Sequence, residues 1–253
     1  MANALEGTAA LVTGASSGIG EATARCLAGH GAAVAVAARR KDRLDALVSA
    51  IEADGGRAVA IEADVTDQEQ ARGAVERTVA ELGSLDTVVN NAGVMLLGPI
   101  ADAPTEEWER MVALNVNGLL YVSHAALPHL IRAADEGRRR VADLVNVSST
   151  AGRNARLGSG VYNATKFGVN AFSESLRQEV TERHVRVSLV EPGAVETELT
   201  DHLRPEIREQ LRSAFDYERL HAGDIADAIA YIVTRARHIA INEVLIRPTE
   251  QVR

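Results

Sequence analysis

Cysteine is nearly absent: Cys26 is the only one in 253 residues, which excludes an intramolecular disulfide and any CxxC metal or redox pair. A reducing cytoplasm is the expected compartment. Positive charge is in deficit, with 27 Lys and Arg against 35 Asp and Glu and a formal net charge of −8. Non-specific nucleic-acid binding needs a basic surface that displaces phosphate counterions, so no nucleic-acid partner is expected. The seven histidines show no HExxH or comparable pairing, and no metal is predicted. No apolar run approaches the roughly 18 to 20 residues that span a bilayer. The opening "MANALEGTAALVTGASSG" has no basic stretch ahead of an apolar one, so neither a membrane span nor a signal peptide is expected. Repeats and linkers are also missing, which favours one domain over 1–253.

What is present is a soluble, globular composition, 46% hydrophobic and 25% charged. Short β-branched runs recur at 8–14, 32–38, 57–64, 85–93, 142–149 and 185–193, and "VLIRPTEQV" near the end offers a seventh. Near-continuous apolar runs ended by glycine or polar residues are the pattern of strands buried on both faces. Longer segments with helical spacing lie between them, at 22–29, 41–54, 68–82, 105–133, 161–183 and 223–235. This alternation predicts an α/β fold of the Rossmann type, a doubly wound, mostly parallel sheet of about seven strands flanked by helices. The charge run "RAADEGRRR" (132–140) reads as a solvated loop.

"VTGASSGIGEA" joins the first strand to the first helix and carries Gly14, Gly18 and Gly20. Glycines there permit a tight turn and close backbone approach, leaving helix N-terminal N–H groups to face a pyrophosphate. At the end of the second strand an acid would accept from a ribose 2′-hydroxyl. Ala38 stands at that position, followed by Arg39, Arg40 and Lys41. Guanidinium groups fork onto phosphate, which favours NADP(H) over NAD(H); solvated charges at a helix start are the other reading. Asp64 closes the third strand, where it either accepts from the adenine amino group or caps the next helix, with Thr66 and Asp67 better placed as caps.

Set in order, "TGASSGIG" (13–20), "NNAG" (90–93), "LNVNG" (114–118), "NVSSTAG" (146–152), "YNATK" (162–166) and "PGAVET" (192–197) resemble the short-chain dehydrogenase/reductase superfamily over nearly the whole chain. The resemblance implies a catalytic set of Asn115, Ser149, Tyr162 and Lys166. Of two adjacent serines, Ser149 begins the S-x-x-G spacing to Gly152, and Ser148 then faces the other side of the strand. The resemblance also assigns Pro192, Gly193 and Thr197 to the nicotinamide end of the cofactor. Asn91, Ala92 and Gly93 fall to the adenosine ribose side, and Ser16, Ser17, Ile19, Val65 and Val195 join the same cofactor site. A softer likeness points to a bacterial NADP-dependent branch that includes clavulanic acid dehydrogenase.

Carbonyl reduction needs a hydride and a proton. A free phenol titrates near about 10, and a lysine one helical turn away, at i+4, is placed to stabilise its phenolate. Alone, Tyr162 and Lys166 read equally as an amphipathic pair with the lysine in water, and Asn115 as a buried helix-bonding residue. In the resemblance Ser149 orients the substrate carbonyl, and Asn115 holds a water in line with Lys166. Met95, Leu96, Leu97 and Leu157 are expected to border a substrate pocket, with Arg153, Arg156, His202 and Arg204 as polar contacts, under a lid near 194–222. The expected substrate is a small or medium aldehyde or ketone, an anionic one is left open, and NADP-dependent oxidation of a small hydroxy acid is the alternative. The apolar surface of 105–133 and 161–183 fits a homotetramer, with a dimer as the alternative. An NADP(H)-sensing protein without turnover is the competing function.

Overall fold

The computed structural model describes residues 4–214 and 217–252. Seven strands, β1 (Ala9–Thr13), β2 (Ala33–Ala38), β3 (Arg57–Glu62), β4 (Thr87–Asn90), β5 (Ala142–Val147), β6 (Val185–Pro192) and β7 (Glu243–Ile246), form one sheet in the order β3-β2-β1-β4-β5-β6-β7. Every pairing is parallel. Because successive side chains point to opposite faces, each apolar run feeds two cores. Val12, Val34, Val36, Val89 and Val145 pack with α1 (Gly18–Gly29), α2 (Lys41–Ala53) and α8 (Ala222–Val233). Their neighbours Leu11, Ala35, Ala37, Val88 and Leu144 pack with α3 (Gln68–Leu82), α5 (Leu119–Glu136) and α6 (Gly160–Val180) on the other face.

The chain order reverses beside β1, which lies between β2 and β4. In open parallel sheets such a switch point leaves a crevice beyond the carboxyl ends of the strands. Local signals aim the elements there: Asp67 caps α3 by accepting from the Gln70 N–H at 2.9 Å, and Gly83, with φ of +90°, ends it. The caps so placed leave Asp64 free of that role.

Two segments depart from the sequence reading. The helix expected over 105–133 is α4 (Thr105–Val112) and α5 joined through a π-turn at Ala113–Gly118. A Cβ on Gly118 would lie 3.1 Å from the Val65 carbonyl oxygen, so the widened turn is packed tightly on the loop after β3. The charge run at 132–140 is not a solvated loop throughout. Its first residues extend α5 to Glu136, and Arg139, only 13% exposed, donates to buried Asp143 at 3.1 Å.

In the lid, α7 (Pro205–Ala214) was not foreseen, and residues 215 and 216 of that segment lie outside the described residues. Among the described residues no helix is long and apolar enough to cross a membrane, and no group of three or more His, Cys, Asp or Glu is placed to hold a metal.

Candidate active site

A cleft of about 310 Å³ opens at the switch point. Its floor is the glycine turn after β1. Gly14 and Gly18 have φ of +65° and +57°, a region that side-chain-bearing residues rarely adopt. A Cβ on Gly14 would lie 2.8 Å from the Ala92 Cα, and one on Gly20 would lie 2.4 Å from the Gly14 carbonyl oxygen. Larger residues would fill this cradle and push the turn off β4. Helix α1 begins at Gly18 with no side-chain cap, so its first amide groups remain for a ligand. Asn91 Nδ2 donates to the Thr13 and Gly14 carbonyls at 3.0 and 3.3 Å, tying the ends of β1 and β4 together.

One end of the cleft is cationic. Arg40 donates to the Ser16 hydroxyl at 3.1 and 2.9 Å and to the Ser17 hydroxyl at 2.8 Å, which holds its guanidinium across the glycine turn. Arg39 stands 3.8 Å from Asp64. Asp64 accepts from the Thr66 N–H and hydroxyl at 3.0 and 2.8 Å, so it turns the chain and lines the cleft. The uncapped helix start and the held guanidinium fit a dinucleotide pyrophosphate and a further phosphate group.

At the other end, Tyr162 and Lys166 project from adjacent turns of α6, both buried. Lys166 Nζ donates to the Val147 carbonyl at 3.0 Å and lies 5.9 Å from the centre of the Tyr162 ring. Burial pushes the phenol up to about 12, against the hydrogen bond with Ser149 that lowers it. The lysine, expected to depress the phenol, is itself pushed down by burial to about 8. Burial therefore outweighs the pairing that helical spacing suggested, because both groups lose water together.

Ser149 sits where β5 turns into a short helical turn at Thr150–Gly152, and its hydroxyl accepts from the Ala151 N–H at 3.1 Å. Ser148 is buried and donates to Asn170 Oδ1 at 2.6 Å. Asn170 continues the α6 stripe, four residues after Lys166, and donates to Glu191 at 2.7 Å and to the Gly152 carbonyl at 3.2 Å. Glu191, fully buried in β6, also accepts from Arg153 Nε at 2.7 and 3.0 Å. A buried carboxylate thus clamps the turn that carries Ser149. Sequence reading passed over Glu191 and Asn170; an acid inside the apolar run "VRVSLVEPG" was the available signal, since a buried charge needs partners.

Asn115 lies in the π-turn behind Gly93, where a Cβ on that glycine would meet its Oδ1 at 3.3 Å and Lys166 Nζ at 3.9 Å. Its side chain accepts from the Val94 N–H at 2.8 Å and donates to the Val94 carbonyl at 2.8 Å and to Thr165 Oγ1 at 3.3 Å. With both amide hydrogens engaged, the side chain is a strap between the loop after β4 and α6.

The other residues expected at the cofactor, Ser16 to Ile19, Val65, Asn91 to Gly93, Pro192, Gly193, Val195 and Thr197, line the cleft, with Gly20 just behind the turn. Gln251 accepts from the Ala194 N–H at 2.9 Å and so holds the turn after β6, a contact from the far end of the chain that no local pattern announced.

The expected substrate contacts are corrected in part. His202 lines the cleft, and burial, then Arg110, Arg39 and Arg40, lower its pKa, which keeps the ring neutral. Met95 packs with the Val94, Met111 and Tyr162 cluster outside the cleft wall. Leu157 is fully exposed: Gly158 turns with φ of +73° and its carbonyl accepts from the Gly98 N–H at 2.8 Å, so the loop folds back with Leu157 on its outer side. Arg153 is spent on Glu191 and Glu243, and Arg204 on Glu107 and Glu206.

Known proteins share this fold. The chain is 39% identical to glycine betaine reductase ATRR of Emericella nidulans over 98% of its own length, which is 19% of that larger protein. A closed serine dehydrogenase complexed with NADP+ superposes with a TM-score of 0.86 at 31% identity, covering 97% of each chain. A 3-ketoacyl-(acyl-carrier-protein) reductase from Brucella melitensis complexed with NADH does so at 0.85 and 30% identity, over 96% of this chain and 98% of that one. Residues 8–208 match the short chain dehydrogenase family, and the chain belongs to it, as an oxidoreductase with a nicotinamide cofactor site.

Proposed function

We propose that this protein reduces an aldehyde or ketone to an alcohol with NADPH, reversibly, with Tyr162 as the proton donor. The observation that carries this reading is a buried phenol, hydrogen-bonded to Ser149 and still protonated at neutral pH, at one end of a cleft whose other end holds Arg40.

A bound nicotinamide supplies the hydride. Ser149 donates to the substrate oxygen and stabilises the charge that develops there, a preorganised donor role. Tyr162 delivers its proton to the same oxygen. Lys166, cationic below about pH 8, stabilises the phenolate left behind and is placed to hold the nicotinamide ribose. Asn115 fixes the Val94 loop against Thr165 at the back of the site.

The similar structures carry NADP+ in one case and NADH in another. The preference for NADP(H) rests on Arg39 and Arg40 and on Ala38, which supplies no acid at the end of β2. Similarity to serine dehydrogenase supports a second reading, oxidation of a small hydroxy acid with NADP+. The neutral His202 and the paired Arg153 weigh against an anionic substrate.

Following NADPH absorbance with a panel of aldehydes and ketones tests the proposal, with NADP+ and hydroxy acids as the reverse panel. Turnover that Tyr162→Phe abolishes is the expected result. Tight NADPH binding without turnover on either panel would instead mark a sensor. Exposed Val112 and Phe167 on α4 and α6 support assembly as a homotetramer, which a native mass measurement checks.

A further inference from the structure

Glu198 opens the short helical turn Glu198–His202, directly after Thr197, and lines the cleft. Its two carboxylate oxygens are divided between two arginines of the β2–α2 region: Arg40 donates to Oε2 at 2.9 Å and Arg43 to Oε1 at 2.6 Å. Arg40 Nε and Nη2 donate to Ser16 and Ser17, so one guanidinium joins the glycine turn and the lid. Thr197 closes the same seam, its methyl carbon 3.1 Å from where a Cβ on Gly18 would stand. Arg43 and Arg40 hold the Glu198 carboxyl down to about 2, so it is ionised throughout the working range.

From this we infer that Glu198 is a cofactor-specificity residue, a lid carboxylate that occupies the arginine site of the 2′-phosphate and competes with it. The inference rests on the NADP(H) reading above. A 2′-phosphate carries up to two negative charges and binds guanidinium forks more strongly than a carboxylate does. It binds Arg40 only by displacing or crowding a like charge. The pair is 42% exposed on each side, so each contact is weak enough to exchange. With a plain ribose the competition vanishes. Glu198 keeps both arginines, and the acid that Ala38 fails to supply at the end of β2 is furnished from across the cleft as an acceptor for a 2′-hydroxyl. The same residue therefore penalises the phosphorylated cofactor and accommodates the unphosphorylated one, and it couples that choice to the lid.

Calorimetric titration of the full chain with adenosine 2′,5′-bisphosphate and with 5′-AMP tests this without turnover. Glu198→Gln should tighten the bisphosphate about fivefold and leave 5′-AMP unchanged or about twofold weaker, a shift of roughly five- to tenfold in the ratio of Kd values. Glu198→Asp, too short to span both arginines, should move the ratio the same way by less, and serves if the glutamine variant folds poorly. Equal changes for both ligands, or weaker binding of the bisphosphate, would overturn the inference and leave Glu198 as a lid anchor. Wild-type protein that binds 5′-AMP and the bisphosphate equally, with Arg40→Ala changing neither, would instead overturn the NADP(H) reading on which it rests.

Discussion

The two ends of the sheet are built from the same strands and use charge in opposite ways. At the amino ends, Asp143 is fully buried and receives a fork from Arg186 at 2.7 and 2.9 Å and a third bond from Arg139. Arg186 also donates to the Val233, Arg235, Ala236 and Ile239 carbonyls at and beyond the end of α8. Asp86 accepts from the Ala9 N–H at 2.9 Å and the Ser84 hydroxyl at 2.7 Å. Each charge there is consumed by the fold. At the carboxyl ends the helix start is uncapped, and Tyr162 and Lys166 are buried with their pKa values displaced. Polar groups fully partnered within the chain hold structure, whereas those left with capacity toward a cleft are available for chemistry.

That contrast breaks most sharply at Tyr162. Tyr162→Phe should lower kcat/KM for carbonyl reduction by about 10³ to 10⁴ while Tm stays within a few degrees, because the phenol's proton rather than its packing is lost. Asp143→Ala should do the reverse. It leaves Arg186 buried and unpaired, which costs roughly 3 to 5 kcal/mol, read by denaturant unfolding, with activity per folded molecule retained. Glu191→Gln sharpens the comparison because that carboxylate belongs to both ends in kind: it is fully paired, yet its partners carry the Ser149 turn. A loss of about 1 to 3 kcal/mol in stability should come with a drop in kcat larger than the change in KM for NADPH. A purely structural role would lower Tm alone.

The smallest effect is on pH. Burial puts Lys166 near about 8, below Tyr162 near about 12, so the lysine charge is present below pH 8 and lost above it while the phenol is still protonated. Reductive kcat/KM should therefore fall above about pH 8, and Lys166→Arg should move that limb upward because guanidinium keeps its charge. A limb unmoved by the arginine variant would assign it to another group.

Much of this was legible before any coordinates. Runs such as "AAVAVAA" (32–38) imply strands covered on both faces, and the structure places alternate residues of that run in separate cores. The i, i+4 spacing of Tyr162 and Lys166 puts them on one helix face because α-helical geometry is local. The π-turn at Ala113–Gly118 was not legible, since its residues contact Val65 and Val94, which are distant in the chain. Arg153 and Leu157 misled for the same reason. Nothing near Arg153 in sequence reveals Glu191, and nothing near Leu157 reveals the bond between Gly98 and Gly158 that turns it outward.

Periodicity, glycine placement and ordered motifs were enough for the sequence alone to determine the alternating fold, the phosphate-facing turn and the face that carries the phenol and the amine. Tertiary structure decided which charges remain available. Glu198 meets Arg43 across 155 positions and Arg186 meets Asp143 across 43. Ion pairing depends on distance through space and on lost water, and neither is encoded in the spacing of neighbouring residues.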